Sequence, residues 1–162
     1  MNSLVSKFSP LLICAMLVAS CSKEEPEPTN EEQLSGRWDL TDIDASGTIS
    51  VFGQTVPFVT TSATIDQGSY FDFSHNPNEV DYNASATVQV SAGQDFEIPY
   101  SQAGQGTWTL KGRDSLIVTE DGQTTRYGIL AWTDTRMILR SNQSITFSGQ
   151  QINAQVEAVI ER

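Results

Sequence analysis

From Leu34 onward, apolar residues recur at every second position, and this period limits the fold more than any other feature of the chain. A period of two places alternate side chains on opposite faces of a strand, whereas a helix needs an apolar stripe with a period near 3.6. Trp38 and Leu40 alternate with Asp39 and Thr41, predicting a strand at 36–46, and Ile49 and Val51 belong to a second segment. Residues 52–56 read as a tight hairpin turn whose strand continues to Ile65. Tyr70, Phe71 and Phe73 predict a short aromatic strand. The polar stretch 74–83, with Asn76-Pro77-Asn78, reads as a loop. Ala86, Val88 and Val90 alternate next, then Phe96, Ile98 and Tyr100. Pro99 cannot donate to a ladder, which places its strand at an edge or a bulge.

The second half repeats the pattern. A strand at 106–110 ends at Lys111-Gly112-Arg113-Asp114, and Leu116 and Val118 alternate in the next. Asp121-Gly122 is a hairpin signal, because both residues tolerate positive φ. Strands follow at 127–132, 135–141, 144–147 and 152–160. In the last, Ile152, Ala154, Val156, Ala158 and Ile160 alternate, while Ile152, Val156, Val159 and Ile160 also fit a helical stripe. Strand is preferred, since a closed sheet needs its last edge paired. The expected fold is all-β: an antiparallel meander closed into a barrel, with a two-sheet sandwich as the alternative.

The first twenty residues differ in kind. Lys7 precedes an apolar run over 8–19, broken only by Ser9 and Pro10. The run is too short for a hydrocarbon core about 30 Å thick, which takes roughly 20 apolar residues. It fits a signal peptide over 1–20. Its end, Leu17-Val18-Ala19-Ser20-Cys21, resembles the lipobox of bacterial lipoproteins. That resemblance implies thioether lipidation of Cys21, cleavage before it, and loss of Cys14 with the peptide. The mature chain then has neither a disulfide nor a free thiol. Several acyl chains, at about 0.8 kcal/mol per buried CH₂, give stable membrane anchoring. Residues 22–33 hold five acids, one base and two prolines, and read with Cys21 as a disordered tether over 21–33. Ser22, Lys23, Glu24 and Glu25 resemble the acidic export signal that some Gram-negative groups place after the lipidated cysteine. This implies an outer-membrane, surface-exposed address.

The remaining segment, 34–162, is one domain with 15 acids and 7 bases, within a chain of formal net charge −11. Such acidity excludes nucleic acid as a partner, because no basic stripe offsets the repulsion of a polyanion. Asp42-Ile43-Asp44-Ala45-Ser46-Gly47 matches the first half of a calcium loop, but the twelfth position is Gly53 rather than an acid. No metal or cofactor is expected. His75 is the only histidine, no Gly-x-Ser-x-Gly occurs, and Asp72 and Glu97 read as solvated strand residues, so no enzymatic activity is expected.

Gly36-Arg37-Trp38, with Leu34 and Leu40 around it, resembles the opening Gly-x-Trp strand of lipocalins and lipocalin-like domains. Gly106-Thr107-Trp108 and the later apolar strands resemble lipocalin-like domains of bacterial lipoproteins. The resemblance implies that Trp38 plugs the closed end of a barrel, that Gly36 lets the chain enter tightly, and that a late-strand arginine stacks on the indole. Arg140 is the candidate, with Arg136 second. The 44–69 region and the strands after Arg140 depart from the pattern. The resemblance further implies binding of a small apolar or amphipathic ligand. A barrel filled by Trp38, Phe71, Phe73 and Trp108 would argue against a cavity. The alternative is an envelope module contacting a protein or glycan through exposed aromatics such as Phe52, Phe58 or Tyr82.

Overall fold

The computed structural model describes residues 27–51, 53–147 and 150–162, so the expectations for the signal peptide, Cys21 and residues 22–25 fall outside the described residues. The chain enters through a short helix, α1 (Asn30–Leu34), closed by a capping box. The Thr29 side chain accepts from the Glu32 N–H, and the Glu32 carboxylate accepts from the Thr29 N–H at 2.7 Å. These bonds satisfy two backbone donors left over by the first helical turn. Residues 30–33, expected within the structureless tether, are therefore helical.

Nine strands follow among the described residues: β1 (Gly36–Val51), β2 (Gln54–Ile65), β3 (Tyr70–Ser74), β4 (Glu79–Ser91), β5 (Asp95–Lys111), β6 (Ser115–Glu120), β7 (Gln123–Trp132), β8 (Arg136–Phe147) and β9 (Gln150–Glu161). All pairings are antiparallel, and β9 returns to β1, which closes the sheet into a barrel rather than a sandwich. β2 and β3 lie end to end and share one wall position. β3 pairs with the first halves of β1 and β4, and β2 with their second halves.

Several expected breaks are absent. The segments read as 36–46 and 49–51 are one strand, β1. Its first half-turn of calcium-like sequence, Asp42 to Gly47, lies in this extended strand, paired to β9, and not in a loop. The loop expected over 74–83 stops at Glu79, where β4 begins. The strands at 96–100 and 106–110 are parts of β5, and those at 135–141 and 144–147 are parts of β8. Residues 152–160 are strand, within β9. The β6–β7 turn is the expected two-residue hairpin, with φ of 48° at Asp121 and 77° at Gly122.

Alternation directs one face of every strand inward and divides the core in two. At the end where α1 enters, Leu34, Trp38, Phe71, Phe73, Trp108, Leu116, Met137, Leu139 and Ile160 are buried together. Phe73 meets Trp108 edge to face at 6.1 Å. The Trp108 indole N–H donates to the carbonyls of Ser74 and Glu79, at 2.9 and 3.0 Å. This end is closed by packed aromatics, each contributing about 1.5–3 kcal/mol through burial. Toward the other end, Ile43, Ile49, Phe58, Val88, Val90, Ile98, Ile152 and Val156 form a second apolar cluster.

Candidate functional site

The wall is incomplete on one side. β5 pairs with β4 over its whole first part, but with β6 only from Thr107 to Lys111. β8 pairs with β7 only from Met137 to Arg140. The β6–β7 hairpin is short and turns back at Asp121-Gly122, part-way up the barrel. Above that turn, residues 95–106 of β5 and 141–147 of β8 each have one edge without a strand neighbour among the described residues. Together with the hairpin tip they frame a window. Pro99 lies on the unpaired part of β5, as expected from its missing N–H.

Between the two apolar clusters, polar side chains face inward behind the part of the window nearest the hairpin tip. Alternation selects Tyr82 on β4, Tyr100 and Gln102 on β5, Glu120 on β6, Tyr127 on β7, and Ser141 and Gln143 on β8. They form two hydrogen-bonded groups, Tyr82 with Glu120, and Tyr100, Gln102, Gln143, Ser141 and Tyr127. The Tyr82 hydroxyl donates to Glu120 Oε2 at 2.6 Å. The Tyr100 hydroxyl donates to Gln102 Oε1 at 3.0 Å, and Gln102 Nε2 donates across the window to Gln143 Oε1 at 2.7 Å. Gln143 Nε2 donates to Ser141 Oγ at 2.9 Å. Tyr82 also stacks on Phe71 at 5.8 Å, which ties the network to the packed end.

Burial raises the ionisation of all three phenols above the ordinary range. Tyr82 is pushed up first by desolvation and then by its bond to the Glu120 carboxylate. Tyr100 is pushed up by desolvation and by its neighbours Tyr127 and Tyr82. Tyr127 is pushed up by desolvation, against a bond with Gln143 that opposes it. The three hydroxyls therefore remain neutral at physiological pH.

Gly104 holds the carboxylate in place. A Cβ on Gly104 would fall 1.9 Å from Glu120 Oε1, so only glycine leaves room for Glu120 to point inward. At the frame, Pro99, Tyr100, Ser101 and Gln102 of β5 and Ser144 and Ile145 of β8 line a recess of about 310 Å³.

The other expected site residues fall elsewhere. Trp38 is buried at the packed end, where its indole N–H donates to the Leu34 carbonyl at 2.7 Å, and Gly36 precedes it with φ of 109°. The arginine over the indole is Arg162, with its guanidinium carbon 4.3 Å from the ring centre. It is neither Arg140 nor Arg136: both point out of the barrel, toward Glu157 at 2.8 Å and Glu161 at 3.2 Å. β8 carries Arg136 and Arg140 on the face opposite Met137 and Leu139, so its register keeps both outside. His75 sits in the β3–β4 turn with Nδ1 3.0 Å from Asn78 Oδ1. Asp72 and Glu97 face outward on β3 and β5. The exposed aromatics expected of an interaction surface are not at Phe58, which is buried, nor at Tyr82, which belongs to the network. Phe52 lies outside the described residues. Among the described residues, the exposed large apolar side chains are Val59 and Leu130.

The sequence reading missed the network. Tyr82 fell in the expected loop, and Gln102 and Gly104 fell in an expected break. The available signal was continuous alternation through 80–90 and 96–110.

A family model described as a lipocalin-like domain matches residues 34–139. No curated protein matches the chain. Among solved structures, the bovine odorant-binding protein in complex with a selenium-containing odorant aligns at 13% identity with a TM-score of 0.38. The alignment covers 87% of this chain and 78% of that one.

Proposed function

The chain belongs to the lipocalin-like domain family, and on that premise we propose that its barrel binds a small amphipathic molecule at the window without catalysing a reaction on it. The window network carries this reading. It places hydroxyls, amides and one carboxylate on the inner face of an opening, with apolar clusters above and below. Binding sites of this kind combine apolar walls with a few placed polar groups that fix orientation. The packed end, with Trp38, Phe73 and Trp108, leaves no such arrangement, so the ligand enters from the side and not through that end. His75 is in the turn at the packed end, away from the network, which supports binding rather than catalysis.

The protein is further read as a lipoprotein held in the outer membrane, facing outward, by acyl chains on Cys21. The chain enters the barrel at its packed end through α1. A tether from Cys21 would therefore hold that end toward the membrane and leave the window accessible. Native mass spectrometry of the lipoprotein recovered gently from its own cells tests the binding reading. A discrete small-molecule mass that leaves on mild activation is expected. A protein recovered repeatedly without any adduct, and taking up none from a lipid extract of those cells, would overturn it.

A further inference from the structure

We infer that the window selects a ligand whose head group is a cationic amine or quaternary ammonium. The inference rests on the binding reading above and specifies the ligand class. Of the polar side chains turned inward between the two apolar clusters, Glu120 is the carboxylate; the others are phenols, amides and hydroxyls. The bases of the two adjoining strands β7 and β8 that flank this level, Arg126 and Arg140, are directed away. Arg126 donates to Ser115 Oγ at 2.9 Å, and Arg140 pairs with Glu157, both on the outer face. Neither neutralises Glu120.

The surroundings of Glu120 suit a cation. The Tyr82 hydroxyl bonds to it and the Tyr127 phenol feels its charge, so two electron-rich ring systems share its surroundings. A soft cation is attracted by ring faces and by a carboxylate together, and the attraction grows where water is excluded. Space for the arrangement is reserved by Gly104, over which Glu120 Oε1 lies. The recess lined by Tyr100, Gln102 and Ile145 gives a short alkyl tail an apolar and polar flank beside that head group. The field of the whole domain acts in the same direction, since 15 acids face 7 bases in 34–162. It draws cations in and opposes a carboxylate-headed amphiphile of the same tail.

The test compares three probes with one tail: octyltrimethylammonium, 1-octanol and octanoate. Each is titrated calorimetrically, below its aggregation limit, into the exported chain carrying Cys21→Ala, so that no acyl chains compete. Octyltrimethylammonium is expected to bind at least about tenfold more tightly than 1-octanol, with octanoate weakest. Glu120→Gln retains the size and an acceptor oxygen for Tyr82. It should remove the preference for the cation, so that cation and alcohol bind with similar affinity. Gly104→Ala, which displaces the carboxylate without deleting it, should do the same and serves if Glu120→Gln fails to fold. Equal affinity for cation and alcohol, or a preference that survives both substitutions, would overturn the ammonium assignment while leaving ligand binding intact. Failure of all three probes to bind would overturn both.

Discussion

Arg162 lays its guanidinium 4.3 Å over the indole of Trp38, joining the residue after the last strand to the first strand of the barrel. The same group donates to three carbonyls: Asp134 at 2.7 Å, Ser35 at 3.1 Å and Gln33 at 3.0 Å. It thus fastens α1, the β7–β8 turn and the chain end over one buried aromatic. Arg162→Ala is expected to lower stability by about 1–3 kcal/mol, the range for a cation–π contact plus charged hydrogen bonds that are partly solvated. Arg162→Lys keeps the charge but not the planar fork, and should recover less than half of the loss. Urea denaturation of the three proteins checks this; a lysine variant as stable as the parent would refute the clamp.

Two neighbouring glycines of β5 should respond differently to the same substitution. A Cβ at Gly106 would lie 2.4 Å from the Thr119 carbonyl oxygen, which is backbone and cannot rotate away. At Gly104 the obstacle is the flexible Glu120 side chain. Gly106→Ala is therefore expected to cost about 3 kcal/mol by forcing β5 and β6 apart. Gly104→Ala should cost about 1 kcal/mol, the value of the displaced Tyr82–Glu120 bond. Thermal melts that rank the two the other way would contradict this account of the wall.

These glycines also show what the sequence left illegible. The all-β class and the inward residues of each strand followed from alternation alone, because side-chain direction is local. Gly104 and Gly47 fell between expected strands, and Gly106 at the start of one. Each instead sits where a neighbouring strand leaves no room for a Cβ: Gly47 lies against the Asn153 carbonyl and the Phe58 ring. That fact depends on register, which a single chain does not display. The window network was hidden for the same reason, since its residues come from five strands. Arg162 was missed because its position over Trp38 depends on where β9 meets β1. Arg140 was the nearer guess along the chain, but its parity on β8 directs it outward.

Alkaline pH should unfold the barrel. Tyr82, Tyr100 and Tyr127 all ionise above the ordinary phenol range in the fold, chiefly because burial disfavours the phenolate. In the unfolded chain they lose protons near pH 10. Above that pH the folded state binds more protons than the unfolded one, so stability falls as pH rises further. Absorbance at 295 nm should show these phenolates appearing late and together with loss of near-ultraviolet dichroism. Ionisation of every tyrosine near pH 10 with the fold intact would contradict the buried network.

Cys21→Ala should move the protein from the membrane fraction to the soluble fraction without changing its thermal midpoint. The substituted residue precedes α1, which starts at Asn30. Fractionation with a melting curve reads both effects, and persistence of the variant in the membrane would refute the lipid anchor.

Mapping the ligand on the fold tests the central claim most directly. In ¹H–¹⁵N spectra of the labelled Cys21→Ala chain, titration with 1-octanol and then octyltrimethylammonium should shift amides of the window frame. The expected set is 100–104 on β5, 120–127 across the hairpin, and 141–145 on β8, with residues around Trp38 and Trp108 unmoved. Shifts clustered at the packed end or on the outer face, or no saturable shift with either probe, would contradict it.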